Sequence, residues 1–228
     1  MYKLIIFDLD GTLFNTKRGV VAAVRQTVRQ AGLWELSEQE YDSYIGPPMQ
    51  QSFMNTYGLY EEDARALANR FREIYSMDGY LLQIDEYDGM RDTLKKLFSD
   101  GVHLALATYK REDMAVKICR HFGYDRLIRT IHGSDAEGRR TKQDIIRICM
   151  EEHPEIGKDQ VVMVGDSEYD AMGAKEAEVD FIGVTYGFGF RDKEEILQYE
   201  GAKAIDRPGD LIPFTKEEEQ EKKPDAED

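Results

Sequence analysis

Apolar positions along this chain fall into two regimes. Near the start, KLIIF (residues 3–7) is an uninterrupted apolar run, too short for a helix and without polar alternation, so it predicts a strand buried on both faces. From TLFNT onward the pattern turns helical through RGVVAAVRQTVRQAG, SEQEYDSYI, PMQQSFMNTYG and YEEDARALANRFREIYS. Ser37 and Glu40 have the spacing of a capping box. Gly46, Pro47 and Pro48 separate two of these helices, with Pro48 suited to a first helical turn.

From about Asp85 strands and helices alternate. GMRDTLKKLFSDG, REDMAVKICRHFG, TKQDIIRICMEE, YDAMGAKEA and KEEILQYEG read as helices; VHLALAT, LIRTIHG, QVVMVGD, VDFIGVTYG and AKAID read as strands. Such alternation predicts a parallel sheet with helices on both faces. The opening strand has no partner in the helical section, so it belongs to this later sheet. The expectation is an α/β fold: a core of residues 1–14 and 85–213, an inserted helical block over 15–84, and a charged, low-complexity tail over 214–228 expected to be disordered. The chain contains no internal repeat.

Composition narrows the partners. Hydrophobic residues make up 41% of the chain, enough for a sizeable core, and the formal net charge is −15. An acidic surface argues against a nucleic-acid polymer or an anionic membrane as the main partner. A small anionic substrate needs only local positive charge, which a cation supplies. The two cysteines, Cys119 and Cys149, fall among apolar positions of predicted helices, which reads as core packing and fits a reducing compartment. MYKLIIFDLD meets an acidic residue too early for a signal peptide, and no apolar run approaches the ~20 residues of a membrane span. The expected location is the cytoplasm. Oligomeric state is not legible.

In parallel sheets, ligands bind beyond the carboxyl ends of the strands. Four polar elements fall there. They are Asp8 and Asp10 in DLDGT, then Thr108, Tyr109 and Lys110 after VHLALA, then Lys142 opening a helix, then Asp166 and Asp170 in GDSEYD. Two unit charges ~4 Å apart repel by about 4 kcal/mol at an effective dielectric of 20. Four carboxylates gathered together therefore require a cation, and hard oxygen donors without His or Cys select Mg²⁺. YGFGF (186–190) lacks the third glycine of a dinucleotide fingerprint and reads as a loop. The four histidines are scattered and receive no chemistry.

DLDGT, a strand-end Thr, a Lys and GDSEYD in this order resemble the haloacid dehalogenase superfamily of phosphotransfer enzymes, over nearly the whole chain apart from the tail. The resemblance implies a Rossmann-like core, and the subgroup with a helical cap inserted after the first motif matches the block over 15–84. It implies that Asp8 is the nucleophile forming an aspartyl phosphate and that Asp10 is the general acid and then base. Mg²⁺ would be held by Asp8, the Asp10 backbone carbonyl and Asp166, with Asp170 ordering a nearby water or the loop. Thr108 and Lys142 would bind phosphoryl oxygens, aided by backbone N–H groups near Gly11 and Thr12. Tyr109 departs from the Ser or Asn common in relatives, tolerable where a backbone N–H is what counts. Lys110 either touches substrate beneath the cap or faces solvent. Asn15 stands where relatives often carry Asp.

Asp10 is absent from the dehalogenases and is Thr in the transport ATPases, so its presence points to a phosphatase. YIGPPMQQSF resembles the cap segment of bacterial 5′-nucleotidase-like and phosphoglycolate-phosphatase-like members. The expected substrates are nucleoside 5′-monophosphates, with 2-phosphoglycolate or another small phosphomonoester as the alternative. Lys17 and Arg18 are candidate cationic cap contacts for a carboxylate. A phosphomutase and a non-catalytic binding protein are the remaining readings.

Overall fold

The computed structural model describes residues 1–77 and 79–216. Its main sheet is six-stranded and parallel throughout, in the order β5-β4-β1-β6-β7-β8. The strands are β1 (Leu4–Phe7), β4 (His103–Arg111), β5 (Thr130–Ser134), β6 (Val161–Gly165), β7 (Asp180–Val184) and β8 (Lys203–Ile205). β1 lies between β4 and β6, which explains its uninterrupted apolar run: every residue from Leu4 to Phe7 is buried. Alternate side chains serve opposite faces. Ile5 and Phe7 pack with Leu94 and Leu97 of α5 (Met90–Ser99) and with Met114 and Ile118 of α6 (Glu112–Phe122). Leu4 and Ile6 pack with Ile145 and Cys149 of α7 (Lys142–Glu151) and with Ala171 and Ala174 of α8 (Glu168–Ala177). Both cysteines are free and buried, in line with a packing role.

The helical insertion comprises α1 (Lys17–Gln30), α2 (Glu38–Asp42), α3 (Met49–Tyr57) and α4 (Glu61–Met77). It is joined to the core by a two-stranded antiparallel ribbon that the sequence patterning did not reveal. β2 (Phe14–Asn15) pairs with β3 (Asp85–Glu86), placing the outgoing and returning chain side by side. At two residues each, these strands are below the length at which periodicity is readable. The Ser37–Glu40 capping box is present: the Ser37 hydroxyl accepts from Glu40 N, and Ser37 N donates to Glu40 Oε2 at 2.7 Å. Pro48 takes the N-cap of α3, one position before the expected first turn. Phe53, Phe71 and Tyr75 of the insertion share one continuous buried cluster with Ile5 and Phe7 of the core.

The expected strand VDFIGVTYG contracts to β7, and the expected helix KEEILQYEG to α9 (Lys193–Ile196). The tail expected over 214–228 lies outside the described residues from 217 on. Before it, Phe214 closes against the core, its carbonyl accepting from Tyr2 N at 3.1 Å.

Candidate active site

The strand order decides the site. Phe7 is in register with Leu106 of β4 and with Val164 of β6, so the three chains leave the sheet side by side. Asp8, Thr108 and Asp166 are therefore delivered to one place from three distant parts of the sequence. β1 is the strand at which the chain order reverses, the position where open parallel sheets leave a crevice.

Asp8, Asp10, Asp166 and Asp170 are all buried, as are the side chains of Lys110 and Lys142. Lys142, the first residue of α7, reaches back beneath the strand ends. Its Nζ lies 2.6 Å from Asp8 Oδ1, 2.7 Å from Asp170 Oδ1 and 2.9 Å from the Ala107 carbonyl. The contacts to Asp8 and to the Ala107 carbonyl are hydrogen bonds, whereas Asp170 Oδ1 is an ion-pair partner that accepts no hydrogen bond among the described residues. Burial alone would lower this ammonium, but Asp170 and Asp8 outweigh it and hold it charged, above the usual lysine range. Gly173 of α8 makes the approach feasible: a Cβ there would stand 2.5 Å from Lys142 Cγ. That dependence has no signature in the sequence.

Asp166 is gripped from the other side. Its Oδ2 accepts from Phe188 N at 2.6 Å and Gly189 N at 3.2 Å, so the YGFGF segment is a loop that clamps this carboxylate. Gly11 and Gly187 leave room for it; a Cβ on either would fall within 2.4 Å of an Asp166 atom. Asp170 Oδ2 caps its own helix, accepting from Ser167 N at 3.1 Å and Ser167 Oγ at 2.7 Å. One oxygen on Asp8 (Oδ2) and one on Asp166 (Oδ1) accept no hydrogen bond among the described residues, whereas their partner oxygens are held.

This donor set fits a divalent cation. Asp8, Asp166 and Asp170 each offer an oxygen within 4.8 Å of the others. Four carboxylates against two ammonium groups leave two negative charges in a buried space. The strain of that arrangement is visible in the acids themselves. Burial pushes the Asp166 carboxyl up to about 7, with Asp170 adding to the effect and the Phe188 and Gly189 amides opposing it. Burial likewise raises Asp8 well above the ordinary aspartate range, against the pull of Lys142. A hard dication among oxygen donors relieves both.

The other expected residues sort differently. Thr108 is buried, and its hydroxyl accepts from Lys110 N at 3.2 Å. Lys110 does not face solvent: its Nζ is 3.1 Å from Asp10 Oδ1 and 4.9 Å above the Tyr75 ring of α4. Burial is outweighed there by Asp10 and Tyr75, so Lys110 is also held charged. Tyr109 contributes through its side chain, the hydroxyl accepting from Lys142 N at 3.1 Å at the start of α7.

Gly11 is corrected. Its N–H donates to the Phe14 carbonyl at 2.9 Å, so it is not available to a phosphate; φ is +82°, a turn that favours glycine. The Thr12 hydroxyl is buried without a hydrogen-bond partner among the described residues, and the Thr12 carbonyl accepts from Tyr186 Oη at 3.3 Å. Lys17 and Arg18 are corrected too. Both are exposed and paired, to Asp42 at 2.6 Å and Asp85 at 3.2 Å, and they line a separate outer groove.

Asp10 and Lys110 open onto a cavity of about 100 Å³ between core and insertion. Tyr44, Met49, Phe71 and Tyr75 of the insertion line it, with Arg72 beside them and Arg111 on the core side. These residues were missed because a lining set drawn from helices, a loop and a strand end has no sequence spacing.

The family model described as haloacid dehalogenase-like hydrolase matches residues 5–184. A 5′-nucleotidase of Pseudomonas aeruginosa is 36% identical over 193 residues, 84% of this chain and 86% of that one. The tyrosine-protein kinase PtkA of Mycobacterium tuberculosis is 34% identical over 209 residues, covering 90% and 70%. A phosphoglycolate phosphatase of Vibrio parahaemolyticus is 30% identical over 195 residues, covering 82% and 85%. Among solved structures, a predicted phosphatase from Clostridium acetobutylicum superposes with a TM-score of 0.86 at 31% identity, covering 94% of this chain and 98% of that one. Sheet order, buried carboxylate cluster and likeness agree: this chain belongs to the haloacid dehalogenase-like hydrolase family, in its capped phosphatase branch.

Proposed function

We propose that the chain is a Mg²⁺-dependent phosphatase of small phosphomonoesters. The observation that carries this reading is the pairing of Asp8 with Lys142 inside a carboxylate cluster two charges short of neutrality. Asp8 is the nucleophile. Its free Oδ2 attacks phosphorus, the P–O bond to the substrate alcohol breaks, and an aspartyl phosphate forms. Lys142 holds the other oxygen at 2.6 Å and so fixes which lone pairs face the phosphorus. Asp10, at the wall of the cavity, enters the first step as the acid and gives its proton to the departing alkoxide; the carboxylate left behind, the form that Lys110 pairs with at 3.1 Å, then takes a proton from the water that hydrolyses the acyl phosphate. Thr108, its hydroxyl proton not engaged by Lys110 N, donates to a phosphoryl oxygen. Asp8, Asp166 and Asp170, with the Asp10 carbonyl, would hold Mg²⁺, which supplies charge neutralisation at the phosphoryl oxygens.

Two leaving groups compete. Nucleoside 5′-monophosphates are supported by the likeness to the Pseudomonas 5′-nucleotidase and by the aromatic lining of Tyr44, Phe71 and Tyr75. A compact acidic alcohol such as glycolate is supported by the small volume and by Arg72 and Arg111 on the same cavity. The test is a phosphate-release screen with Mg²⁺ over nucleoside monophosphates, sugar phosphates and 2-phosphoglycolate. Release is expected to vanish with EDTA and to fall at least 10³-fold in Asp8→Asn. Near-wild-type turnover by Asp8→Asn would sink the proposal.

A further inference from the structure

We propose that Arg72, backed by Arg111, recognises a second anionic group on the substrate alcohol, so that this phosphatase selects phosphomonoesters with an acidic tail. The inference rests on the phosphatase reading above and identifies which of its two leaving-group classes the cavity is built for.

Among the described residues, four charged side chains line this cavity, and all but one are paired with an opposite charge. Asp10 faces the cavity, but Lys110 neutralises it at 3.1 Å. Arg111 faces it as well, and Asp113 holds that guanidinium at 2.5 and 2.6 Å through two of its nitrogens. Arg72 remains. Its Nη1 donates to the neutral Asn69 side chain at 2.8 Å, and it has no carboxylate partner among the described residues. Among the described residues, the cavity lining therefore carries one positive charge without a carboxylate partner, in a chain whose formal net charge is −15.

Position makes that charge informative. Arg72 sits on α4, on the helical insertion, and reaches across to the core loop after β5, where a Cβ on Gly138 would lie 3.7 Å from its Nη2. It is half-buried, and burial followed by the nearby Arg111 lowers its proton affinity. Bringing a guanidinium toward a second one and away from water costs free energy, with only the neutral Asn69 amide in return among the described residues. An anion between the two guanidinium groups and the catalytic end supplies the return, and the planar fork of arginine suits a carboxylate or a phosphate. The cavity volume of about 100 Å³ limits what the anion rides on. A tail of a few atoms places its charge between Asp10 and Arg72 within that volume.

The test is a matched series with the full chain and Mg²⁺: ethyl phosphate, 2-phosphoglycolate and ethane-1,2-diol bisphosphate, with AMP alongside. These share a two-carbon alcohol and differ in whether its tail is neutral, a carboxylate or a second phosphate. The wild type is expected to show kcat/KM at least tenfold higher on one charged tail than on ethyl phosphate, and which one identifies the anion. Arg72→Gln is expected to collapse that ratio by about 30-fold, chiefly through KM, and Arg72→Lys to restore part of it. Circular dichroism establishes that each variant is folded, and Arg72→Lys carries the comparison if Arg72→Gln is not. An unchanged ratio in folded variants, or a tenfold preference for AMP or ethyl phosphate, overturns the assignment of Arg72 while leaving the phosphatase reading intact. Equal phosphate release by wild type and Asp8→Asn overturns the phosphatase reading itself.

Discussion

Replacing Lys142 by methionine isolates the electrostatics of the site from its packing. Methionine keeps an unbranched stem of similar length against Gly173, so the space around the side chain stays filled. What disappears is an ammonium with acceptors at 2.6, 2.7 and 2.9 Å. The buried cluster then holds four carboxylates and one ammonium, a net of −3 where the wild type has −2. Removing one partner of a buried ion pair costs about 3–5 kcal/mol. Asp8, already raised by burial, can take up a proton and so keeps the loss from growing further. For a domain of this size each kcal/mol shifts the midpoint by about 2–4 °C, so thermal unfolding in EDTA should fall by about 6–20 °C. Adding Mg²⁺ should recover more stability in Lys142→Met than in the wild type, because the cation meets a larger negative charge. Circular dichroism melts with and without Mg²⁺ provide the measurement. A midpoint within 2 °C of wild type in EDTA would refute the reasoning, since it would mean that water already solvates the cluster.

Other perturbations probe the supports of the same site. Gly173→Ala gains about 1 kcal/mol in helix propensity yet places a Cβ 2.5 Å from Lys142 Cγ; overpacking should win, with a net loss of up to about 2 kcal/mol by denaturant titration and at least tenfold lower kcat. Gly11→Ala drives a Cβ to 2.1 Å from Asp166 Oδ2 at a φ of +82°, so the Mg²⁺ concentration for half-maximal activity should rise at least tenfold; an unchanged Mg²⁺ titration contradicts the placement of Asp166. On β5, where His132 stands in register with Ala107 of β4, the His132 hydrogen bond holds the Glu152 carboxyl below its ordinary value of 4.5. A depressed folded-state value contributes stability above the unfolded one, lost as pH falls through the folded one. The melting midpoint should therefore decline below about pH 4.5, and His132→Phe should remove part of that decline, less than about 1 kcal/mol for a half-exposed pair.

Much of this was open to reading from the chain. KLIIF as a doubly buried strand, the strand–helix alternation after Asp85 and the helical block before it are consequences of local periodicity, and periodicity is a property of neighbours in sequence. The acidic motifs were legible for the same reason, since Asp8 with Asp10 and Asp166 with Asp170 are each a few residues apart. Their number required a cation before any geometry was known. The ribbon of β2 and β3 was not legible, because two residues carry no period.

Contacts between distant segments were decided only by the fold. Lys110 looked as much like a solvent-facing lysine as a buried one until β4 carried it against Asp10 and the insertion laid Tyr75 over it. Lys17 and Arg18 offered the right charge for a cap contact, and the direction of α1 took them to a different groove. Arg72 had no local feature to distinguish it from the other arginines of α4. The physical reason is common to all three. The sequence determines which groups must be buried and what charge they bring, because those follow from composition and spacing. Which charge meets which depends on the order of strands and the angle of helices, and that order places residues 8, 108, 142 and 166 around one point.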